Sequence, residues 1–356
     1  MIEQNFSYLI VKSHDHCRKT LSDNTNALKL MSTERKFKVA ATDLTYPPDI
    51  PREMLRDIAT LYQVDHKAGK ELAEALRDAD AVIQNLATQI TADVIKEMQK
   101  CKTIVRDAIG FDNVDLGAAG KKGIVVCNVP DYCVEEVADQ TLALILGLIK
   151  KICFLNNYVK SGKWGWQVAI PIPRLRGRTL GIIGLGRIGT AVALRAKAFG
   201  LQVIVYDPYL TSGRDVSLGV RSVSFDSLLS ESDIITCHVP LTPETRHMLG
   251  AKEFAKMKDG VFVINTSRGP IIELNAIIDA LKSRKVAGAA LDVQEKEPPD
   301  QNNPLFKMDQ VILTPHSSHL SAEALIERQK KAAEEVMRVL RNEPPKNPVN
   351  LDQLEK

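Results

Sequence analysis

The residues of this chain that could do chemistry stand at the ends of short apolar runs. Gly184, Gly186 and Gly189 form GLGRIG directly after the run LGII and directly before the helical stretch TAVALRAKAFG. In that context each glycine has a task. Gly184 permits a tight turn, Gly186 lets backbone approach a pyrophosphate, and Gly189 allows the helix to pack closely, while the helix N-terminus offers N–H donors and a positive dipole. Arg187 and Ile188 lie inside the same turn and are counted with it as cofactor contacts. Asp207 ends the next run, VIVYD. There its carboxylate can accept hydrogen bonds from an adenosine ribose and would repel a 2′-phosphate, which favours NAD over NADP.

With a nicotinamide exchanging hydride, a small acid substrate needs its carboxylate bound, its C2–O bond polarised and one proton moved. Arg268 in NTSRG offers a planar fork of donors for the carboxylate and the C2 oxygen. His316 in LTPH can give or take a proton, and Glu297 in QEKEP could hold its other ring nitrogen and favour the charged ring.

Two series of strand and helix must position these groups. The first begins at KFKVAATD and continues through DAVIQNL, TIVRDAIG and IVVCNVP. The second runs from TLGIIGLG through QVIVYDP, SDIITCHVP, GVFVINTSRG, VAGAALDV and QVILTPH. Alternating strands and helices predict parallel sheets. A dinucleotide fingerprint normally follows the first strand of its domain, so a separate domain must precede this one. The expected fold is α/β with two Rossmann-like domains, the NAD-binding domain (131–316) inserted in a flavodoxin-like substrate domain (36–130 plus 317–345). Residues 1–35 are polar and aperiodic, and read as a flexible N-terminal extension. From Ser321 to Leu340, Leu325, Ala332, Ala333, Val336 and Leu340 share one helical face that would cap the first domain.

Between the two series, VEEVADQTLALILGLIKKICFL is helical and apolar on nearly every side through its middle. Such a helix must be buried, either inside the monomer or in a subunit interface. A homodimer built around the second domain is expected from the second alternative.

Composition narrows the function classes. Lys plus Arg number 47 against 44 Asp plus Glu, with no block of like charge, so direct nucleic-acid binding is not expected. The first residues carry no signal-peptide pattern, and the longest uncharged apolar run, Leu142 to Ile149, falls far short of the roughly 20 residues that span a bilayer. No membrane association is expected. The six cysteines lack CxxC or metal-type spacing, which predicts no metal site and a reducing, cytoplasmic setting.

NTSRGPIIE, AALDVQEKEPP and ILTPH, following GLGRIG and HVPLTPETRHML, together resemble the D-isomer-specific 2-hydroxyacid dehydrogenases over about Ile83 to Asn350. Within that family, VRDAIGFDNVD, VCNVPDYCVEEVAD, YDPYLTSG and EEVMRVLRNEPPKNPVN are most similar to the branch of the C-terminal binding proteins, which mixes dehydrogenases with NADH-binding corepressors. The resemblance implies NAD-dependent interconversion of a D-2-hydroxy acid and its 2-oxo acid. It makes Arg268 the substrate-binding arginine, His316 the acid/base and Glu297 its partner. It also places Asp292 on the nicotinamide carboxamide and lines the cofactor with Pro240, Thr245, Thr266 and Ser267. Backbone N–H groups of the loop from Asn85 through Leu86 to Ala87 would bind the substrate carboxylate, and Arg106 would join them.

Two departures touch the substrate end and leave the substrate open. Ala108, Ile109 and Gly110 replace the usual Gly-x-Gly turn, and Ser317, Ser318 and His319 follow His316 where the branch often ends in an aromatic. Formate dehydrogenases share the fold, but formate has no C2 oxygen to protonate, and relatives doing that chemistry carry Gln where this chain has Glu297. The alternative from another class is an NADH-sensing, corepressor-like binding protein with weak or no turnover.

Overall fold

The computed structural model describes residues 36–44, 46–85 and 88–354. The extension read at 1–35, and the loop positions Leu86 and Ala87, lie outside the described residues.

The first sheet comprises β1 (Phe37–Thr42), β2 (Ala59–Val64), β3 (Ala81–Gln84), β4 (Thr103–Arg106) and β5 (Val125–Asn128). Helices α1 (Asp49–Leu55), α2 (Gly69–Leu76), α3 (Ala92–Glu97) and α4 (Leu116–Lys121) connect them. The strand order is β2-β1-β3-β4-β5 with every pairing parallel. This is the flavodoxin-like order, whose direction reverses between β1 and β3 and opens a crevice there. β3 and β4 are buried along their whole length because helices cover both faces. Val39, Ala41, Ile83 and Val105 enter one core, while Ala40, Val82 and Ile104 enter the other. That split follows directly from the two-residue period of a strand.

The chain then passes through α5 (Val134–Ile149) and α6 (Ile152–Lys160) to the second sheet. Its strands are β6 (Thr179–Ile183), β7 (Gln202–Tyr206), β8 (Arg221–Ser222), β9 (Ile234–Cys237), β10 (Val261–Asn265), β11 (Val286–Leu291) and β12 (Val311–Leu313). The connecting helices are α7 (Arg187–Ala198), α8 (Arg214–Leu218), α9 (Phe225–Glu231), α10 (Ala251–Lys256) and α11 (Leu274–Lys282). The order β12-β11-β10-β9-β6-β7-β8, again all parallel, reverses between β6 and β9.

Helix α12 (Ala322–Leu340) packs on α1, β3 and β4 of the first sheet. Ala324, Arg328, Ala332, Val336 and Leu340, spaced four apart, form its buried stripe. Leu325, expected on that face, is only half-buried, because Ala324 occupies the inward position. Beyond it the chain returns to β5, where Val126 N–H donates to Asn350 Oδ1 at 2.8 Å.

Most of the apolar surface of α5 is covered within the chain. Leu142, Leu144, Ile145, Leu148 and Ile149 are covered within the chain by α7 and by strands β10, β11 and β12. The apolar middle of the helix is therefore covered within the monomer, while Asp139 and Ala143 stay exposed and Leu146 and Gly147 half-buried. Among the described residues no single helix is long and apolar enough to cross a membrane.

Candidate active site

The glycine loop leaves β6 at the point where the second sheet reverses direction. Gly184 has φ +91°, a conformation L side chains rarely adopt, and a Cβ there would stand 2.7 Å from the carbonyl oxygen of His238. Gly189 lies in the first turn of α7, where a Cβ would meet Gly184 O at 2.1 Å. Gly186 is the opposite case, with nothing within 4 Å of a Cβ position. The first two glycines are thus demanded by packing, and the third leaves open the space a pyrophosphate would fill. No side chain caps α7 at Gly186, so its leading N–H groups are not taken by a capping side chain.

Asp207 sits just past β7, where Oδ2 accepts Leu185 N–H at 2.8 Å and Oδ1 accepts Tyr209 N–H at 2.9 Å. Each oxygen keeps acceptor capacity for a ribose hydroxyl. Arg187 is exposed and Ile188 half-buried in the turn beside it. Across the reversal point, Thr245 Oγ1 donates to Pro240 O at 2.6 Å, and Ser267 Oγ donates to Val239 O. Thr266 shares a 2.9 Å hydroxyl contact with Thr141 of α5. The positions expected to line a dinucleotide therefore share one sheet edge, and their donor set and open space fit such a group.

Arg268, Glu297 and His316 follow β10, β11 and β12, three neighbouring strands, which is why residues far apart in sequence meet. His316 Nδ1 and Glu297 Oε2 are 2.7 Å apart, and Glu297 Oε1 accepts Gln294 N–H at 2.9 Å. A carboxylate can only accept, so Nδ1 carries the proton and Nε2 is left for a substrate. Burial alone would raise the Glu297 carboxyl. The hydrogen bond and charge of His316, the Gln294 N–H and the Arg268 charge overcome it and hold the group below the ordinary range.

His316 itself has φ +53°, and its N–H donates to Asp292 O at 2.7 Å. The buried Asp292 carboxylate accepts from Thr314 Oγ1 at 2.5 Å, Ser317 N–H at 2.9 Å and Ser318 N–H at 3.0 Å. Those bonds outweigh burial and keep it ionised below its usual range. In this arrangement Asp292 ties down the turn that carries His316.

Arg268 spans the two sheets. Its Nε donates to Asp112 Oδ1 at 3.0 Å, its Nη1 donates to Ser267 O at 2.9 Å, and a Cβ on Gly110 would overlap Nη2 at 1.6 Å. Gly110 is thus the one position of the altered turn at which only hydrogen leaves room for the guanidinium. Asp112, which burial alone would raise, is held low by that guanidinium. Nothing in its local sequence marks it, since the contact closes over 156 residues.

Arg106 lies within electrostatic reach of Arg268 and Asp112. It is 1% exposed, with Nε donating to Asn113 Oδ1 and Nη1 to Gln84 O, both at 3.1 Å. Burial lowers its pKa to about 10. Its contacts pin one end of the loop after β3 at Gln84, while Thr88 Oγ1 anchors the other end on Asp43 at 2.6 Å.

Residues 142–318 match the family model of the D-isomer specific 2-hydroxyacid dehydrogenase NAD binding domain. The chain is 42% identical to a D-3-phosphoglycerate dehydrogenase of Archaeoglobus fulgidus over 82% of its own length and 56% of that protein's. It therefore spans little more than half of that relative. It is 37% identical to a glyoxylate reductase of Korarchaeum cryptofilum, covering 85% of this chain and 94% of that one. Among solved structures, D-lactate dehydrogenase from Aquifex aeolicus, complexed with NAD and lactic acid, superposes with a TM-score of 0.78 at 31% identity, covering 88% of this chain and 97% of that chain.

Proposed function

The chain belongs to the D-isomer-specific 2-hydroxyacid dehydrogenases, NAD-binding oxidoreductases of two parallel-sheet α/β domains, and on that premise we propose that it interconverts a D-2-hydroxy acid and its 2-oxo acid through Arg268, Glu297 and His316. The observation that carries this reading is the 2.7 Å His316–Glu297 contact beside an arginine of the same sheet edge that reaches across to Asp112 of the first domain. An acid/base pair is useful only where a proton moves.

Bound NADH supplies the hydride for C2. Arg268, with main-chain N–H groups of the loop after β3, holds the substrate carboxylate and faces the C2 oxygen. As negative charge grows on that oxygen, His316 Nε2 donates its proton to it, so the carbonyl becomes CH–OH. Glu297 orients the ring and stabilises its charged form. In the oxidative direction His316 takes the hydroxyl proton back. A panel of 2-oxo acids followed by loss of NADH absorbance tests the reading, and NADH binding with no turnover would favour the binding-protein alternative.

Asp207 makes NAD the preferred cofactor in this proposal. Wild-type protein should use NADH far more efficiently than NADPH, and Asp207→Ala should narrow that ratio by removing ribose contacts and charge repulsion together. Equal kcat/KM for the two cofactors in the wild type would contradict the assignment.

The chain also acts as a homodimer built around the second domain in this proposal, and the segment that follows α5 offers apolar surface for it. Helix α6 buries none of its residues, and Ile152, Val159, Trp164, Trp166 and Ile170 stand exposed, Trp164 at 89% and Trp166 at 69%. Burying a large apolar side chain is worth roughly 1.5–3 kcal/mol, so this run favours a covering surface. A twofold contact lets one patch cover its own copy. Light scattering should report a dimer at micromolar concentration and a monomer for Trp164→Glu/Trp166→Glu. A monomeric wild type would refute it.

A further inference from the structure

Helix α12 carries a guanidinium between the alanines of its buried stripe, Ala324 and Ala332, on a face that also buries Gln329 and Glu335. Arg328 is 4% exposed, and the carboxylate facing it, Asp107 at the end of β4, is fully buried. Arg328 Nε stands 3.4 Å from Asp107 Oδ2, too long for a good hydrogen bond. Among the described residues Arg328 Nε and Nη2 and Asp107 Oδ1 make no well-formed hydrogen bond, although the Tyr132 and Tyr46 hydroxyls lie near the guanidinium. Nε and Nη2 form one edge of the guanidinium, the edge a carboxylate takes with two parallel bonds. An ion pair kept only to hold α12 on the sheet would be expected to close those bonds, since unmet buried polar groups are costly.

The place of this unpaired guanidinium edge matters as much as its chemistry. Tyr46 follows β1, which borders the crevice where the first sheet reverses direction, and Asp107 follows β4, one strand beyond β3 at the same sheet edge. The Arg328 guanidinium carbon lies 5.0 Å from the centre of the Tyr46 ring and 5.6 Å from that of Tyr132, which fixes its plane. Tyr46 also donates its hydroxyl to Asp107. Tyr132 is 6.5 Å from His319, and His319 is 6.2 Å, edge-on, from His316. Burial, with the charges of Arg328 and His316, lowers the His319 pKa to about 4, so it is neutral near pH 7. A continuous line of side chains therefore joins Arg328 to the acid/base residue.

We propose that Arg328, walled by Tyr46, Tyr132 and His319, receives an acidic group at the far end of the 2-oxo acid, so that the substrate is doubly anionic. This rests on the dehydrogenase reading, with Arg268 holding the first carboxylate and Arg328 the second. Asp107 accommodates the arriving charge. Burial raises its carboxyl against the pull of Arg328, Tyr46 and Arg106, the groups that face it, so it can take up a proton when a second anion enters.

The test compares chain-length-matched 2-oxo acids with NADH: oxaloacetate against 2-oxobutyrate, 2-oxoglutarate against 2-oxopentanoate, and 3-phosphohydroxypyruvate against hydroxypyruvate. The acidic member of at least one pair should show kcat/KM about tenfold higher or more, mainly through KM. A preference in the first two pairs identifies a second carboxylate, and one confined to the third identifies a phosphate. Asp107→Asn/Arg328→Met, which removes both charges and leaves neither partner stranded, should erase the preference. Equal or better use of the non-acidic member in every pair overturns the site and leaves the dehydrogenase reading standing. A preference that survives in the double variant removes the site from Arg328. Turnover of no member of any pair overturns the dehydrogenase reading and the site with it.

Discussion

Replacing His316 by alanine is expected to leave NADH binding in place and to lower kcat by roughly 100-fold or more, the usual scale of general acid–base catalysis. The expectation follows from geometry. His316 stands on a turn fixed by the Asp292 carboxylate, with Nδ1 on Glu297, so the ring has one free nitrogen and one orientation. The glycine loop and Asp207 lie elsewhere on the sheet edge and keep their own contacts. Stopped-flow fluorescence would measure NADH binding, and steady-state rates would measure kcat.

A loss of binding equal to the loss of rate would mean the residue supports the fold of the site and not its chemistry. Glu297→Gln should produce a smaller defect with a displaced pH profile. The Glu297 carboxyl sits below its ordinary range, so its contribution is fully present above that range. It is lost only as pH falls through the depressed value. The anionic partner therefore acts throughout the neutral region in the wild type. The Gln variant lacks it at every pH, and its reductive rate should shift toward acid.

Arg268→Ala is expected to lower kcat/KM by roughly 100- to 1000-fold, the scale seen when a preorganised donor to a developing oxyanion is removed. Both parameters should move, because the guanidinium serves the substrate carboxylate in the ground state and the C2 oxygen as charge develops. Arg268→Lys should recover little, since a point charge cannot span Asp112 and a substrate with one planar fork. A rise in KM with unchanged kcat would reduce Arg268 to a binding residue.

The glycine loop, Asp207 and the three catalytic candidates were legible in the sequence because each closes a strand, and parallel α/β sheets gather strand ends along one edge. The strands themselves were readable where both faces are buried, as in the uninterrupted apolar run of β6. β2 escaped because it lies at a sheet edge and alternates buried with exposed residues, and β8 because it is two exposed residues long. Helix α5 showed that it must be buried but not by what, since composition carries no information about the covering partner. Asp112, Tyr46 and Tyr132 gave no local signal, because their roles arise only when distant segments pack. Arg328 did leave a trace: it occupies the inward register of α12, four residues from Ala324 and from Ala332, where a charge is costly unless it is paired.

The most direct measurement of the central claim is transfer of label from NADH deuterated at C4 of the nicotinamide, followed by mass spectrometry and chiral separation of the product of an accepted 2-oxo acid. The account predicts one deuterium at C2 of a D-2-hydroxy acid, formed in step with NADH consumption and abolished along with turnover in His316→Ala. A protein that binds NADH but leaves the 2-oxo acid unlabelled, or that labels an L-product, would contradict it.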